Sequence, residues 1–305
     1  MRRWMLLTAL MLVAGCESRR EEKRVAAALR MQTDSVPVLV GAGDIAECGS
    51  QGATLTAALL DSIRGTIFIA GDAAYATRKH PDPFTDCYDP TWGRHRARTH
   101  PSPGNHEYDK NYDPRADRYF NYFGDRAGPR GLGYYSYELG TWHVIALNTN
   151  ISSEAGSTQH SWLESDLNAH LGKCTIAYMH HPRFSSGPHD DREMMVPLWR
   201  TFAQYGLSIV VAGHDHIYER FTPMDADGKP DSVYGVRQFV AGMGGASSYR
   251  IKQSLPGSQI NSSQGFGLLK LTLLDQRYRW EYVPAGDNTF RDSGVSTCRP
   301  THAAD

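Results

Sequence analysis

The chain has 305 residues, 40% of them hydrophobic, and a formal net charge of -1 at pH 7. This length and apolar content are enough for one large globular domain with a sizeable core. The near-neutral charge, with no Lys/Arg-rich stretch interleaved with aromatic residues beyond residue 30, argues against a nucleic-acid-binding protein. A soluble globular enzyme is therefore the starting hypothesis.

The first 35 residues have the pattern of an export signal followed by a polar tether. Arg2 and Arg3 precede an apolar stretch, residues 4–13, that is too short to span a bilayer. Small residues then lead to Cys16, which resembles the bacterial lipobox, where this Cys becomes the lipidated first residue. We predict a signal peptide over residues 1–15, a tether over 16–35, and a lipid-anchored protein of the bacterial cell envelope, in the periplasm or at the cell surface. An ordinary secretory signal is the alternative.

From residue 36 onward, strand patterns alternate with helix patterns. Apolar runs at 36–40 and 66–70 flank a helical pattern at 54–63, which is a β-α-β opening. The polar section 77–130 predicts active-site loops with one helix at 115–123. The next predicted elements are strands at 134–138 and 143–147, a capped helix at 157–171, a strand at 175–179, a helix at 192–204 and a strand at 207–212.

The last third changes character, because strands follow one another without a long helix between them. These predicted strands are 234–241, 266–274 and 278–283. They imply antiparallel pairing, whereas the earlier alternation implies parallel strands. The fold class is therefore α/β, with two packed mixed sheets covered by helices on both outer faces. We expect one catalytic domain over residues 36–290 and a C-terminal tail over 291–305.

Five strand-like runs end in a hard oxygen or imidazole side chain. The carboxyl ends of neighbouring parallel strands share one sheet edge, so these side chains should converge. Two divalent or trivalent cations about 3.5 to 4 Å apart require such a set, with one shared carboxylate. The predicted metal ligands are Asp44, Asp72, Tyr75, Asn105, His180, His214 and His216.

Four cysteines remain after Cys16, an even number with no Cys-x-x-Cys spacing, which favours disulfides in an exported chain. Cys48 and Cys87 each follow a ligand turn on the same predicted sheet edge. We therefore favour bonds between Cys48 and Cys87 and between Cys174 and Cys298. The other pairings, and buried free thiols, stay open as alternatives.

The order and context of the ligand turns resemble those of the calcineurin-like metallophosphoesterases. The Gly71-Asp72-x-x-Tyr75 step and the Glu-Arg pair after His216 further resemble the purple acid phosphatases, and the likeness runs over about residues 36–283. The resemblance implies a four-layer α/β/β/α sandwich. It also implies hydrolysis of phosphomonoesters by in-line attack of a metal-bound hydroxide.

The resemblance also distributes the ligands between two metal ions, with Asp72 bridging them. It implies Fe(III) in a first site and Fe(II), Zn(II) or Mn(II) in a second. The first site would take Asp44, Asp72, Tyr75 and His216, and the second would add Asn105, His180 and His214. Tyr75 is the discriminating residue, because a phenol becomes a ligand only beside a strongly acidic cation such as Fe(III). An aromatic lid is the alternative for Tyr75.

Other candidate residues surround this set. By the same resemblance, His106 binds phosphate or protonates the leaving group, and Glu107 orients His106 or a ligand from outside the metal shell. His189 is a candidate phosphate contact, although a solvated loop histidine is equally consistent with its position, and Arg183 and Arg250 are secondary candidates. His181 would replace His180 as the ligand if the register of the turn after the strand at 175–179 shifted by one residue.

The sequence thus predicts an exported two-metal phosphatase that acts on small-molecule or phosphoprotein phosphomonoesters. Membrane contact is expected only through the lipid anchor. A phosphodiesterase on the same ligands is one alternative, since the pocket walls decide that preference. A catalytically silent lipid-anchored binding protein is the other alternative. No Gly-x-Ser-x-Gly elbow is present, which argues against a serine hydrolase.

Overall fold

The computed structural model describes residues 36–189 and 192–303. The predicted signal peptide over residues 1–15, the lipidation site Cys16 and the tether over residues 16–35 lie outside the described residues. Within the described ranges, none of the helices has both the length and the apolar character that a bilayer span requires.

The described residues contain both strands and helices. In chain order the strands are β1 (Val38–Ala42), β2 (Thr66–Ala70), β3 (Thr99–Ser102), β4 (Tyr135–Leu139), β5 (Trp142–Ala146), β6 (Cys174–Tyr178), β7 (Ile209–Ala212), β8 (Tyr218–Phe221), β9 (Arg237–Ala241), β10 (Ser258–Ser262), β11 (Gly267–Leu274), β12 (Arg277–Pro284) and β13 (Ser293–Thr297). The α-helices are α1 (Gly52–Ser62), α2 (Asp117–Phe123), α3 (Thr158–Ala169) and α4 (Val196–Tyr205). Shorter helical turns cover Phe84–Tyr88, Trp92–Arg98, Gly124–Ala127 and Arg192–Met195.

The strands form two mixed sheets. The first has the order β13-β12-β11-β1-β2-β3, in which β1, β2 and β3 are parallel and the other pairs are antiparallel. The second has the order β10-β8-β9-β7-β6-β5-β4, with β5, β6, β7 and β9 parallel and antiparallel strands at both edges. The mixed sheets inferred from the sequence are therefore confirmed.

Alternate side chains of each strand point to opposite faces, and this alternation builds the layers. Phe68 from β2 and Ile176 from β6 lie in the core between the two sheets. Their neighbours Ile67 and Ile69 instead pack on the outer side with α1, and Ala177 packs with α3 and α4. Helices therefore cover both outer faces. This is the four-layer α/β/β/α sandwich expected from the sequence.

Helix α3 shows how its sequence sets its limits. Ser157 precedes the first turn, and its hydroxyl accepts the backbone N–H of His160 at 3.2 Å, as a helix cap does. Leu163 and Leu167 are fully buried on the inner face. The helix ends at Ala169, short of the predicted end at residue 171, and Leu171 is 44% exposed.

The section 77–130 confirms the helix predicted at 115–123, which is α2, but much of its remainder differs from the prediction as loops. It contains β3 and α2, and it supplies a cluster of buried aromatic rings on the outer side of the first sheet. Tyr88, Trp92 and Tyr119 have no exposed surface, and Phe123 is nearly buried. The sequence did not predict this core, because its aromatic residues occur singly among Pro, Asp and Arg and follow no helix or strand period.

The predicted tail over residues 291–305 is also corrected. Strand β13 pairs with β12 from Ser293 opposite Glu281 to Thr297 opposite Arg277, so the first sheet continues past the expected domain end at residue 290. Alternate side chains of β13 are exposed, and it is an edge strand. Its short polar sequence therefore lacks the apolar run that identified the central strands.

Two disulfide bonds have the favoured pairing. Cys48 is bonded to Cys87, with Cα atoms 5.4 Å apart, and Cys174 to Cys298, with Cα atoms 5.7 Å apart. The first bond attaches the loop after β1 to the aromatic section. The second attaches the residues after β13 to the start of β6. A cross-link between distant residues stabilises a fold chiefly by restricting the unfolded chain.

Candidate metal centre

The predicted ligands follow strands of both sheets. Asp44, Asp72 and Asn105 come after β1, β2 and β3, whereas His180 and His214 come after β6 and β7. The carboxyl ends of these parallel strands meet where the two sheets approach each other. Asp44 Oδ2 accepts the backbone N–H of His214 at 2.8 Å, which joins the ligand turns of the two sheets.

A first group of donors consists of Asp44, Tyr75 and His216. The Tyr75 hydroxyl lies 3.1 Å from Asp44 Oδ1 and 3.2 Å from His216 Nε2. His216 Nε2 lies 3.4 Å from the same oxygen of Asp44. All three side chains are buried. They therefore form a closed triangle of potential ligand atoms.

A second group converges on His180 Nε2. That atom lies 2.8 Å from Asn105 Oδ1, 3.2 Å from His214 Nδ1 and 3.3 Å from Asp72 Oδ2. Ligand atoms of Asp44, Asp72 and His180 all lie within 4.8 Å of one another, so the two groups adjoin. The structure thus brings together all seven side chains proposed as ligands from the sequence.

The spacing of these atoms fits metal coordination. Ligands held about 2.1 Å from one ion lie about 3.0 Å apart in octahedral geometry and about 3.4 Å apart in tetrahedral geometry. The separations in both groups run from 2.8 to 3.4 Å. Carboxylate, phenol, amide and imidazole donors also match the preferences of first-row transition metals. The residues present therefore fit the metal centre that the resemblance implies.

Two histidines are oriented by their outer ring nitrogens. His180 Nδ1 lies 2.9 Å from the carbonyl oxygen of Ala70, and His216 Nδ1 lies 2.7 Å from that of Ser247. A carbonyl oxygen can only accept, so each Nδ1 carries the proton. Each Nε2 then presents a lone pair to the donor groups, which is the arrangement of histidines that bind metals.

The backbone at three of these residues is left-handed. Asp44, Asp72 and His214 have φ values of 59, 50 and 70°. Such conformations cost about 1–3 kcal/mol each for residues with side chains, and they concentrate at functional sites. They turn the chain sharply at the end of a strand, which directs the ligand side chain into the gap between the sheets.

The glycines before two ligands make room for the centre. A Cβ atom on Gly71 would overlap the imidazole of His180, and a Cβ on Gly104 would overlap the carboxylate of Asp72. Gly71 also has a φ of 76°, a backbone conformation that residues with a side chain rarely adopt. The Gly-Asp and Gly-Asn steps seen in the sequence therefore reflect close packing around the ligands.

Glu107 supports the ligand turns from outside. Its carboxylate accepts the backbone N–H groups of Asp72 and Ala73 at 2.9 Å each, and that of Gly104 at 2.6 Å. Burial and the neighbouring charge of Asp72 raise the pKa of Glu107 to about 8. The structure thus places Glu107 on the backbone of two ligand turns, rather than on the ring of His106.

Burial and neighbouring charges shift the pKa values of two donor side chains. Burial alone would raise the pKa of Asp72, but a His180 ring protonated on both nitrogens holds it below its ordinary range. Burial and the charge of Asp44 raise the pKa of Tyr75 well above that of a free phenol. An acidic cation is therefore needed to ionise Tyr75.

His106 lies at the open side of the centre. Its ring centroid is 4.4 Å from that of Tyr75, and its Nε2 is 4.0 Å from Asp72 Oδ2. Its side chain is 38% exposed, whereas those of Asp72 and Tyr75 are buried. His106 is therefore placed to meet a substrate, as the resemblance implies.

His181 and His189 flank the second group. His181 Nδ1 lies 2.7 Å from the Thr149 hydroxyl. His180, the preceding residue, is the histidine that faces Asp72. The ring of His189 lies 4.1 Å from that of His214, so this loop histidine borders the centre. The role of His189 as a phosphate contact stays a prediction.

Sequence reasoning missed two residues beside the centre. Asp215, fully buried, accepts from the Ser185 hydroxyl and lies 2.8 Å from His189 Nδ1. The ring of Tyr249 stacks on His216 with centroids 4.0 Å apart. Asp215 could have been noticed from its place between two ligands. Tyr249 gives no such signal, because it lies on a loop distant in sequence.

Comparisons with known proteins give the same family. The family model for calcineurin-like phosphoesterase matches residues 38–218. Probable purple acid phosphatase 20 of Arabidopsis thaliana is 28% identical over 169 residues, covering 52% of this chain and 39% of that protein. Fe(3+)-Zn(2+) purple acid phosphatase 12 of the same plant is 29% identical over 201 residues, covering 58% of this chain and 42% of that protein.

A solved structure has a similar fold. Purple acid phosphatase PPD1 from yellow lupin (Lupinus luteus) seeds superposes with a TM-score of 0.74 at 22% identity, covering 86% of this chain and 54% of that one. The chain thus spans about half or less of the length of these relatives. Because the family model matches more than half of the chain, the chain belongs to the calcineurin-like phosphoesterase family, and within that family it is similar to purple acid phosphatases.

Proposed function

We propose that this protein is an exported phosphatase that uses two metal ions to hydrolyse phosphomonoesters. The observation that carries the proposal is the convergence of seven donor side chains in two adjoining groups. The similarity to purple acid phosphatases supports the same activity class. Small-molecule phosphomonoesters and phosphoproteins are the proposed substrates.

We propose Fe(III) for the group that contains Tyr75 and Fe(II), Zn(II) or Mn(II) for the group around His180. The buried phenol supports Fe(III), since a strongly acidic cation is needed to ionise it. The name of one relative, Fe(3+)-Zn(2+) purple acid phosphatase 12, supports a mixed pair. Asp72 would be shared, because it belongs to the second group and lies close to Asp44 of the first.

The chain's own residues supply positioning and proton transfer. When bound, the ions would withdraw charge from the phosphoryl oxygens and make water acidic enough to act as nucleophile at neutral pH. His106, half-exposed at the mouth, would donate a hydrogen bond to a phosphoryl oxygen or a proton to the leaving oxygen. His189, held by Asp215, would be a second donor to the phosphate. Glu107 keeps the turns of Asp72 and Asn105 in place through their backbone.

Rates on a matched pair of esters test this function. We expect kcat/KM for p-nitrophenyl phosphate to exceed that for bis(p-nitrophenyl) phosphate by at least about 100-fold, a difference in transition-state binding of about 2.7 kcal/mol. The reverse preference would indicate a phosphodiesterase. Failure to hydrolyse either ester by protein with a full complement of metal would indicate the binding-protein alternative.

Export and lipid anchoring are part of the same proposal. The positive and apolar segments before Cys16 support them, as do the two disulfide bonds, which form in oxidising compartments. In a bacterial host, mature protein should lack residues 1–15, carry lipid on Cys16 and fractionate with membranes. The variant Cys16→Ser should lose the lipid. Soluble periplasmic protein with an unmodified Cys16 would rule out the anchor.

A further inference from the structure

A pocket of about 340 Å³ lies beside the metal centre. Its lining residues include Ser185, Ser186, His189, Arg250, Lys252 and Gln253. His189 belongs to both places, because its ring also packs 4.1 Å from that of the predicted ligand His214. The pocket and the metal centre therefore adjoin at His189.

The loop over residues 247–255 forms the outer wall, and it is attached at both ends. At its start, the Ser247 carbonyl accepts from His216 Nδ1 at 2.7 Å, and its N–H donates to Glu47 at 2.8 Å. At its end, the Leu255 N–H donates to the Ser186 hydroxyl at 2.8 Å. In between, Tyr249 stacks on His216. These contacts hold the middle of the loop at a defined distance from the metal centre.

The loop places two cations at the pocket mouth. Arg250 and Lys252 are exposed, and within residues 36–189 and 192–303 neither has a carboxylate within ion-pair distance. The acidic side chains behind the pocket, Asp215 and Glu219, are fully buried and accept hydrogen bonds from Ser185 and Ser186. The charge presented by the described residues to a ligand is therefore positive.

We propose that this pocket binds a second phosphate of the substrate, so that bisphosphorylated small molecules are preferred over monophosphorylated ones. The proposal rests on the proposed phosphatase function and deepens it. Guanidinium and ammonium groups bind phosphate oxygens through charge-assisted hydrogen bonds. Because the loop is already attached at both ends, binding would have to order mainly the two cationic side chains.

The test compares a hexose monophosphate with the bisphosphate of the same sugar in wild type and in the double variant Arg250→Gln/Lys252→Gln. Wild type should favour the bisphosphate in kcat/KM by at least about 10-fold, since each charged hydrogen bond contributes about that factor. The double variant should lose this preference, because its kcat/KM for the bisphosphate should fall at least about five-fold more than its kcat/KM for the monophosphate. Added salt should also reduce the wild-type preference, because the cations are exposed.

The matched control removes two exposed cations elsewhere, Arg115→Gln/Arg277→Gln, and should leave the preference intact. An equal loss on both substrates in the Arg250/Lys252 variant, or no preference in wild type, would overturn the proposal. Calorimetric titration of metal-loaded protein with the bisphosphate tests the binding pocket separately from the proposed phosphatase activity. Binding about 10-fold weaker in the variant supports the pocket even if no hydrolysis occurs, whereas equal binding contradicts the pocket.

Discussion

Replacing Asp72 with asparagine is expected to lower the metal content below one ion per chain and to reduce kcat/KM for an aryl phosphomonoester by at least about 1000-fold. Such a factor corresponds to about 4 kcal/mol, the scale expected when metal-assisted charge stabilisation is lost. Asp72 lies 3.3 Å from His180 Nε2 and close to Asp44, so both groups depend on its charge. In the wild type, the Asp72 carboxylate accepts the backbone N–H of His106 at 2.8 Å. The asparagine side chain keeps a carbonyl oxygen that can accept the same hydrogen bond. Metal analysis and steady-state kinetics on the same preparation give the result.

Asp292→Asn is the matched control, because it also neutralises a buried carboxylate. Asp292 accepts from Tyr218 at 2.6 Å and from Arg220 at 2.8 Å, in a network separate from the ligands. Its loss should lower the free energy of unfolding and leave metal content and kcat/KM within a few-fold of wild type. Folded Asp72→Asn protein, shown by near-ultraviolet circular dichroism, that kept two ions and full activity would exclude a shared ligand at this position.

The second large effect is expected at Tyr75. A phenolate bound to Fe(III) absorbs visible light by charge transfer, so oxidised, iron-loaded wild type should be pink to purple. Tyr75→Phe keeps the ring and removes the oxygen that contacts Asp44 and His216. The variant should stay folded and lose the visible band. It should also bind Fe(III) less tightly and shift its occupancy toward divalent ions.

The pH optimum of Tyr75→Phe should move upward, because Fe(III) acidifies bound water more than a divalent ion does. Tyr249→Phe is the matched control: its ring lies on His216, and its hydroxyl makes none of the contacts that Tyr75 makes with the first group. Tyr249→Phe should therefore keep the band. A colourless wild type, or an unchanged band in Tyr75→Phe, would remove Tyr75 from the ligand set.

The ligand turns could be proposed from the sequence because each comes directly after a short buried strand. An apolar run that ends in Gly-Asp or Gly-His identifies both the end of the strand and the donor. Asp44, Asp72 and His214 also share a left-handed backbone, a constraint invisible in the sequence. The sequence shows which residue type follows each strand, and the parallel arrangement of the strands brings these residues close together.

Features that depend on distant partners could not be predicted in this way. The indole N–H of Trp92 donates to the hydroxyl of Thr56 in α1 at 3.0 Å, and no local sequence pattern predicts that contact. Strand β13 is defined by pairing with β12, and Tyr249 by stacking on His216, which lies far from it in sequence. In each case the partner is chosen by the folded topology, whereas the local sequence is polar or irregular.

Metal analysis of wild-type protein, combined with a phosphatase assay on the same sample, tests the central claim most directly. The account predicts close to two metal ions per chain, at least one of them iron. Activity on p-nitrophenyl phosphate should disappear when the ions are removed and return when they are restored. Protein that holds at most one ion at full activity, or that keeps its activity after complete metal removal, would contradict a two-metal phosphatase.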